Sequence, residues 1–327
     1  MRRFVTALEP ACLVIGETEI WPNLVSEAKR EGASVVLVNG RISSKSYGRY
    51  KLVKALIGSV LRDFDLLLMR TETDAGRIIS LGACPDRVEV AGNTKYDILS
   101  APLDQASQSA ARQALGIDPA SKVVTFGSAR EGECEIVLGA LAASGITAMA
   151  RIIVAPRHLD LVAGIEQLCR DLGLSSATVT DMRAGPPQPK GTPDVIILAE
   201  MGRLIEIYGI SDIGIVGGTF KPFGGHNPLE PASQGCITIV GPHIGNIRDD
   251  IEYLTSRSAA FVLLENELGP RVRELLSSER GTEEIGRSAV RAVEEKKGIA
   301  AKCVRAMLRE GLLPGNENAG SQNDGNH

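Results

Sequence analysis

The chain has 327 residues, 43% of them hydrophobic and 23% charged, and its net charge is −4 at pH 7. This length is typical of two domains, and the hydrophobic fraction argues against a disordered chain. The negative balance excludes a global basic field, so we expect no nucleic-acid partner. The six cysteines form no CxxC pair, as is typical of free thiols in a reducing cytoplasm. No apolar run predicts a signal peptide or a membrane span.

Short apolar runs alternate with amphipathic stretches of helical length, and this order predicts parallel sheets covered by helices. The predicted strands span residues 12–15, 35–38, 66–69, 88–90, 123–126, 152–154, 195–198, 213–216 and 237–240. The predicted helices span residues 22–31, 46–61, 73–81, 131–143, 159–171, 201–208, 228–234, 246–254 and 288–311. We therefore expect an α/β fold with two Rossmann-like domains.

Polar segments divide this pattern into domains. Residues 98–121 are rich in Ala, Gln and Ser and predict a passage between a first domain at 1–105 and a second domain at 106–285. A C-terminal helix is expected at 286–312. The Gly- and Asn-rich residues 313–327 predict a disordered tail.

Two loops that follow predicted strands carry charged residues suited to chemistry. The segment GETEIWPN places Glu17 at a strand end, where side chains face the ligand crevice of open α/β sheets. Glu19 is also explained as an acid near a helix N-terminus. In the segment GNTKYD, Lys95 is either a solvated side chain or a cation that neutralises a phosphate or a sugar carboxylate.

Two later loops suit a phosphate-bearing ligand. In the segment APRH, Arg157 offers a planar fork for phosphate, whereas a lone His158 is more often structural. The glycines of the next loop allow backbone amides to approach a ligand closely; they include Gly217, Gly218 and Gly225.

The segment HNPLEP after these glycines predicts a capped helix. Asn227 is expected as the N-cap, Pro228 at the first helical position and Glu230 at the third. The helix N-terminus would then favour an anion in the glycine loop. Glu230 either bonds backbone only or holds ribose hydroxyls, as acids do in other nucleotide sites.

Two more charged segments allow different interpretations. Asp63-Phe64-Asp65 mimics an Asp-x-Asp metal motif, but it precedes its strand and would lie at the wrong end of the sheet. We interpret it as a solvated turn and predict no metal and no cofactor. Residues 41–62 hold six basic and no acidic side chains, which indicates a solvated basic face or a patch for anionic lipid.

Taken together, these stretches resemble the Kdo (3-deoxy-D-manno-octulosonic acid) transferases. The resemblance extends from about residue 4 to about residue 312 and includes ETEIWPNLV, NGRISSKSYGRY, TETDAGRIISLGA, GNTKYD, APRH, YGISDIGIVGGT, GGHNPLEPA and VGPHIGNIRD. It implies the two-domain GT-B fold. It also implies transfer of Kdo from CMP-Kdo to a lipid A precursor, a step of lipopolysaccharide biosynthesis at the cytoplasmic face of the inner membrane.

The resemblance assigns roles to individual residues. Glu17 and Lys95 match residues that stabilise the transition state. The implied nucleotide contacts are Pro156, Arg157, Met201, Gly202, Arg203 and the segment from Asn227 to Glu230. His158, Gly217, Gly218 and Gly225 complete the predicted substrate-binding set. Arg203 stands where the family has an acid, and Ala199-Glu200 replaces its Asp-Thr pair.

The front of the chain departs from the family. The family's membrane-anchoring segment and the Gly-Glu loop that carries its general base have no counterpart, so we expect an incomplete first domain, no membrane anchor and little transfer activity. One alternative is a non-catalytic remnant that binds CMP or a nucleotide sugar. Another is a different GT-B enzyme such as an epimerase, against which ETEIWPN and GNTKYD argue.

Overall fold

A computed structural model describes residues 1–185 and 193–313 of the chain. The chain divides into two compact units. The first unit comprises residues 1–98 and the segment from 297 onward, and the second unit comprises residues 99–296. The predicted disordered tail lies, from residue 314, outside the described residues.

The first unit contains a parallel sheet. Among the described residues it has four strands in the order β1-β2-β3-β4. The strands are β1 (Cys12–Gly16), β2 (Ser34–Gly40), β3 (Leu66–Met69) and β4 (Val88–Val90). The helices that precede the second unit are α1 (Arg2–Leu8), α2 (Pro22–Arg30), α3 (Ser44–Leu52), α4 (Lys54–Leu61) and α5 (Glu72–Ser80). All four residues of β3 are buried, as expected for a parallel strand covered on both faces.

The second unit contains a larger parallel sheet, with seven strands among the described residues in the order β11-β10-β9-β5-β6-β8-β7. The strands are β5 (Lys122–Ala129), β6 (Ala150–Pro156), β7 (Ser176–Val179), β8 (Val195–Leu198), β9 (Ile213–Val216), β10 (Ile237–Val240) and β11 (Ala260–Val262). The helices are α6 (Gln105–Leu115), α7 (Cys134–Ala143), α8 (Val162–Asp171), α9 (Leu204–Gly209), α10 (Leu229–Ser233), α11 (Arg248–Ser256), α12 (Glu265–Ser277) and α13 (Glu279–Glu294). Phe126 of β5 lies in register with Val154 of β6 and Ile215 of β9, and all three are buried.

The strand order of the second unit reverses beside β5. On one side of β5 lie β6, β8 and β7, in that order across the sheet. The chain then crosses to the other side of β5, where β9, β10 and β11 follow in sequence order. In open α/β sheets, ligands bind outside the carboxyl ends of the strands where the order reverses. The loops after β5, β6, β8 and β9 are therefore placed to form a site.

The C-terminal helix α14 (Ile299–Arg309) belongs to the first unit. Its residues Cys303, Ala306 and Met307 pack with Leu66 and Leu68 of β3. The prediction of one helix over 288–311 is wrong, because α13 and α14 are separate helices. Gly298 between them has φ 91°, in the left-handed region where a helix cannot continue.

Two other predicted segments differ in the structure. The passage at 98–121 contains α6, in which Asp104 accepts a hydrogen bond from the Ser107 amide and Gly116 ends the helix in the left-handed conformation. The predicted helix at 46–61 is two helices, α3 and α4, and Val53 between them has φ −119°. Local caps and breaks, rather than the apolar pattern, set these boundaries.

Asp65 is a structural residue rather than part of a solvated turn. Its carboxylate is partly buried, accepts a hydrogen bond from the Val35 amide at 2.8 Å and pairs with Lys29 Nζ at 2.8 Å. It therefore connects α2 and β2 at the amino end of the sheet. In the described ranges, no group of three His, Cys, Asp or Glu side chains is arranged to hold a metal ion.

Candidate functional site

A cavity of about 250 Å³ opens at the carboxyl ends of β5, β6 and β8 in the second unit. It is lined by Ser128, Ala155, Pro156, Arg157, Leu198, Glu200, Met201, Gly202, Leu204, Ile205 and Glu230. Five residues of the predicted substrate-binding set are thus brought together: Pro156, Arg157, Met201, Gly202 and Glu230. The other six do not line this cavity.

Glu230 contributes a half-buried carboxylate to the cavity. Burial raises its pKa, and this effect is partly offset by a hydrogen bond from Asn227 and by the positive charge of Arg157. Asn227 Nδ2 donates to Glu230 Oε1 at 3.1 Å, and Asn227 Oδ1 accepts from the Leu229 amide at 3.1 Å. Glu230 therefore bonds a side chain and not only backbone, and an acceptor is held at the cavity wall.

The predicted helix start after the glycine loop is wrong by one residue. Pro228 is the N-cap of α10, and the helix has five residues. A helix of this length supplies little dipole, so anion binding at its N-terminus is not supported.

The glycines of this loop serve the backbone itself. The Gly217 amide donates to Gly127 O at 2.8 Å, and the Gly225 amide donates to Gly218 O at 2.8 Å. The Gly218 amide donates to Glu133 Oε2 at 2.7 Å. Because each of the three amides already has an acceptor within the chain, the expectation that they face a ligand is not supported. A Cβ on Gly217 would lie 2.1 Å from the Ser128 carbonyl oxygen, so close packing of two loops requires glycine here.

Sequence reasoning missed Glu133, which organises these loops. Its side chain is fully buried and accepts hydrogen bonds from the amides of Gly218 at 2.7 Å, Phe220 at 2.9 Å and Arg130 at 3.0 Å. The carboxylate thereby joins the loop after β5 to the loop after β9. Three charge-assisted hydrogen bonds of this kind offset the cost of burying the carboxylate and hold the two loops together.

Glu200, at the end of β8, was also missed as a site residue. Its Oε1 accepts from Arg203 Nε at 2.8 Å, and its Oε2 accepts from the Met182 amide at 2.7 Å. The Arg203 hydrogen bond, followed by that from Met182, holds the pKa of Glu200 below its usual value. Arg203 also donates to Glu206 at 2.7 Å. The charge order Glu200, Arg203, Glu206 along the sequence was the available signal, since residues three apart meet on a helical turn.

Cationic groups gather on the loops after β5 and β6. Arg130 lies over the Phe223 ring, with 4.2 Å from Cζ to the ring centre. The Arg157 amide donates to Ala129 O at 2.8 Å, which connects the two loops. Exposed His158 lies on the same loop as Arg157. This arrangement is suited to an anionic ligand group.

The first unit carries a separate candidate site at the carboxyl ends of its strands. Glu17 Oε1 and Lys95 Nζ are 3.1 Å apart, and both side chains are exposed. Glu17 has φ 57°, a left-handed conformation that costs a non-glycine residue about 1–3 kcal/mol. Glu19 instead accepts a hydrogen bond from Trp21 Nε1 at 3.2 Å. The structure thus brings Glu17 and Lys95 together and directs Glu19 elsewhere.

Three strand-end loops hold this pair in place. The Arg41 amide donates to Thr18 Oγ1 at 3.1 Å, which ties the loop after β1 to the loop after β2. Buried Asn39, near the carboxyl end of β2, accepts a hydrogen bond from the Thr94 amide at 3.2 Å, which ties β2 to the Lys95 loop. Asp97 accepts from the Ala300 and Gly298 amides at the start of α14. The Lys95 loop is therefore fixed at both ends.

Comparison with known proteins connects these features to a family. Residues 1–98 match the family model described as 3-deoxy-D-manno-octulosonic-acid transferase (kdotransferase). A 3-deoxy-D-manno-octulosonic acid transferase of Aquifex aeolicus is 30% identical over 314 residues, which cover 95% of this chain and 76% of that protein. The chain belongs to the 3-deoxy-D-manno-octulosonic acid transferase family. Membership of this family of glycosyltransferases, expected from the motifs, is confirmed.

Other relatives extend beyond the matched region. A bifunctional glycosyltransferase/methyltransferase of Fusobacterium nucleatum is 34% identical over 304 residues, which cover 93% of this chain and 46% of that protein. The transferase of Chlamydophila psittaci is 29% identical, and 58% of its length is covered. The chain thus spans about half the length of these two relatives.

Solved structures support the fold. The C-terminal CMP-Kdo binding domain of WaaA from Acinetobacter baumannii matches with a TM-score of 0.51 and 24% identity, covering 58% of this chain and 99% of that one. Anabaena Alr3699/HepE in complex with UDP and glucose matches with a TM-score of 0.63 and 14% identity, covering 95% of this chain and 80% of that one. The expected α/β class and GT-B architecture are confirmed.

Proposed function

We propose that the cavity of the second unit binds CMP-Kdo and that the chain takes part in Kdo transfer to a lipid A precursor. The observation that carries this proposal is the convergence of Pro156, Arg157, Met201, Gly202 and Glu230 on one cavity at the strand carboxyl ends of a Kdo transferase family member. A cavity with a cation and a carboxylate suits a nucleotide, because the cation can bind the phosphate and the carboxylate can accept hydrogen bonds from the ribose hydroxyls.

The charged residues of the cavity are proposed to contact different parts of the nucleotide. Arg157 is proposed to bind the phosphate that leaves with CMP, and Glu230 to accept hydrogen bonds from ribose hydroxyls. In the transfer, the bond from the anomeric carbon to the phosphate oxygen breaks as the acceptor hydroxyl forms the new glycosidic bond. The hydroxyl proton must pass to a carboxylate. Lys95, held beside Glu17 at 3.1 Å, is proposed to stabilise developing negative charge.

The lipid acceptor implies work at a membrane surface, on the cytoplasmic face of the inner membrane. Among the described residues, no helix combines the length and the apolarity that a membrane crossing requires. Helix α3 has no fully buried residue, and Lys51 lies 4.5 Å from the centre of the partly buried Tyr47 ring. Leu52, at the end of α3, is 86% exposed. We propose that this basic and apolar face contacts anionic lipid.

Calorimetric titration with CMP, UMP and UDP tests the donor site. We expect CMP to bind, and Arg157→Ala to weaken binding by about 1.5–3 kcal/mol through loss of a charge-assisted hydrogen bond. Arg170→Ala is the matched control, because Arg170 is exposed on α8 and its side-chain hydrogen bonds to described residues go to its neighbour Gln167. A folded protein that does not bind CMP, or that prefers UDP, would contradict the proposal; the second result would favour an epimerase-like enzyme.

A transfer assay with CMP-Kdo and a lipid A precursor tests the activity. We expect Lys95→Met to reduce transfer while leaving CMP affinity unchanged, because Lys95 belongs to the first unit and the cavity to the second. CMP binding without transfer by the unmodified protein would instead identify a non-catalytic nucleotide-binding protein.

A further inference from the structure

His226, between the glycines and Asn227, is a half-buried residue that the sequence analysis assigned no role. Its Nε2 atom is buried and has no hydrogen-bond partner among the described residues. The ring packs against the Gly218 backbone, where a Cβ would lie 3.0 Å from the ring Cδ2 atom. Leaving a buried polar atom unpaired costs about 1–3 kcal/mol, so such an atom in a native site calls for an explanation.

The charged groups that face His226 are cations. Burial lowers its pKa first, followed by the positive charges of Arg157, Arg130 and His158. The nearby acids are engaged elsewhere: Glu133 accepts three backbone amides, and Glu230 interacts with Asn227 and Arg157. Burial and the neighbouring arginines thus disfavour the protonated imidazole, and no carboxylate of the described residues is hydrogen-bonded to it.

We propose that His226, Arg130 and Arg157 form a phosphate subsite, and that His226 takes up a proton when the phosphate binds. Arg157 belongs to both this cluster and the cavity lining, so the subsite adjoins the proposed nucleotide site, on which this inference rests. A bound phosphate places negative charge beside the His226 ring. A negative charge within about 4–6 Å favours the protonated imidazole and raises its pKa by about 1–3 units. The protonated ring carries two N–H donors, and the phosphate oxygens supply acceptors for them.

The sign of the pH dependence follows from linkage. Phosphate binding raises the pKa of His226, so affinity increases as the pH falls through the pKa of the bound form and levels off below that of the free form. One unit of difference corresponds to a tenfold change in affinity. We expect binding about tenfold tighter at pH 6 than at pH 8, which corresponds to uptake of about half a proton on average across this range.

Calorimetry in pairs of buffers with different ionisation enthalpies measures this proton uptake. The probe is the methyl ester of CMP, because a phosphate monoester titrates near pH 6 itself, whereas the diester stays singly charged. Cytidine, which lacks the phosphate, should bind without proton uptake. His226→Gln should bind the ester with no proton uptake and little pH dependence. His243→Gln is the matched control, since His243 is exposed and should leave the uptake unchanged.

Nuclear magnetic resonance titration of the wild-type histidines provides the same answer if His226→Gln does not fold. We expect the His226 pKa to rise on addition of the ester. Ester binding with no change in the His226 pKa would overturn the phosphate-linked protonation, and so would equal proton uptake in wild type and His226→Gln. Either result would be compatible with the proposed nucleotide site. A folded wild-type protein that binds neither CMP nor the ester overturns both.

Discussion

Replacing Glu133 by Gln tests how the loops after β5 and β9 are held together. Glu133 Oε2 accepts two amides and Oε1 accepts one, at 2.7–3.0 Å, and the side chain has no exposure to solvent. A glutamine retains one oxygen for two of these amides and turns an NH₂ group toward the third. Losing one charge-assisted bond costs about 1.5–3 kcal/mol, and neutralising the acceptor of the other two weakens both. We expect the free energy of unfolding of the second unit to fall by about 3 kcal/mol.

Urea unfolding followed by far-ultraviolet circular dichroism measures this loss. Trp21, the single tryptophan of the sequence, lies in the first unit. Its fluorescence should therefore report an unchanged unfolding transition of the first unit. Hydrogen exchange should show that the Gly218 and Phe220 amides lose protection. Glu131→Gln is the matched control, because Glu131 is an exposed neighbour on the same loop. A loss below about 0.5 kcal/mol with both amides still protected would refute the reasoning.

Three further predictions concern single contacts. Gly217→Ala should destabilise the second unit by about 1–3 kcal/mol or more through overpacking. Gly139→Ala in α7, where an added Cβ would meet no atom within 4 Å, should stabilise the unit by about 0.4–1 kcal/mol. Thermal unfolding of both variants measures these changes. Arg203→Gln should raise the pKa of Glu200 toward its usual value, and an unchanged carboxyl titration by nuclear magnetic resonance would contradict the assigned cause. Asp97→Ala should cost the first unit about 0.5–2 kcal/mol as a lost helix cap, seen in the tryptophan fluorescence transition.

Patterns that depend on neighbours in sequence were readable in advance. The run Leu66–Met69 is apolar throughout and is a buried parallel strand. Glu17 and Lys95 were each placed in a loop that follows a strand, but their pairing at 3.1 Å was not predicted. Parallel strands place their carboxyl ends on one edge of the sheet, which brings the two loops together. Two strands were missed, β7 and β11; both lie at sheet edges and are short and partly polar or exposed, so their alternation carries little signal.

Features that depend on distant residues were not readable. Glu133 stands in the sequence Arg-Glu-Gly-Glu, which is typical of an exposed turn, and its burial is decided by amides 85 and 87 residues away. Gly217 after β9 packs closely against the Ser128 backbone, which the sequence could not show. The sequence shows that a glycine is needed and does not show what lies opposite it.

The membership of α14 in the first unit has a consequence for synthesis on the ribosome. The face of the first sheet formed by Val36, Leu66 and Leu68 is covered by a helix made after the whole second unit. At about 5–20 residues per second, translation from residue 98 to residue 309 takes roughly 10–40 s. During that interval the nascent first unit presents an uncovered apolar surface, whereas the second unit carries all its own strands and helices. The first unit therefore completes its core only after the second unit has been synthesised.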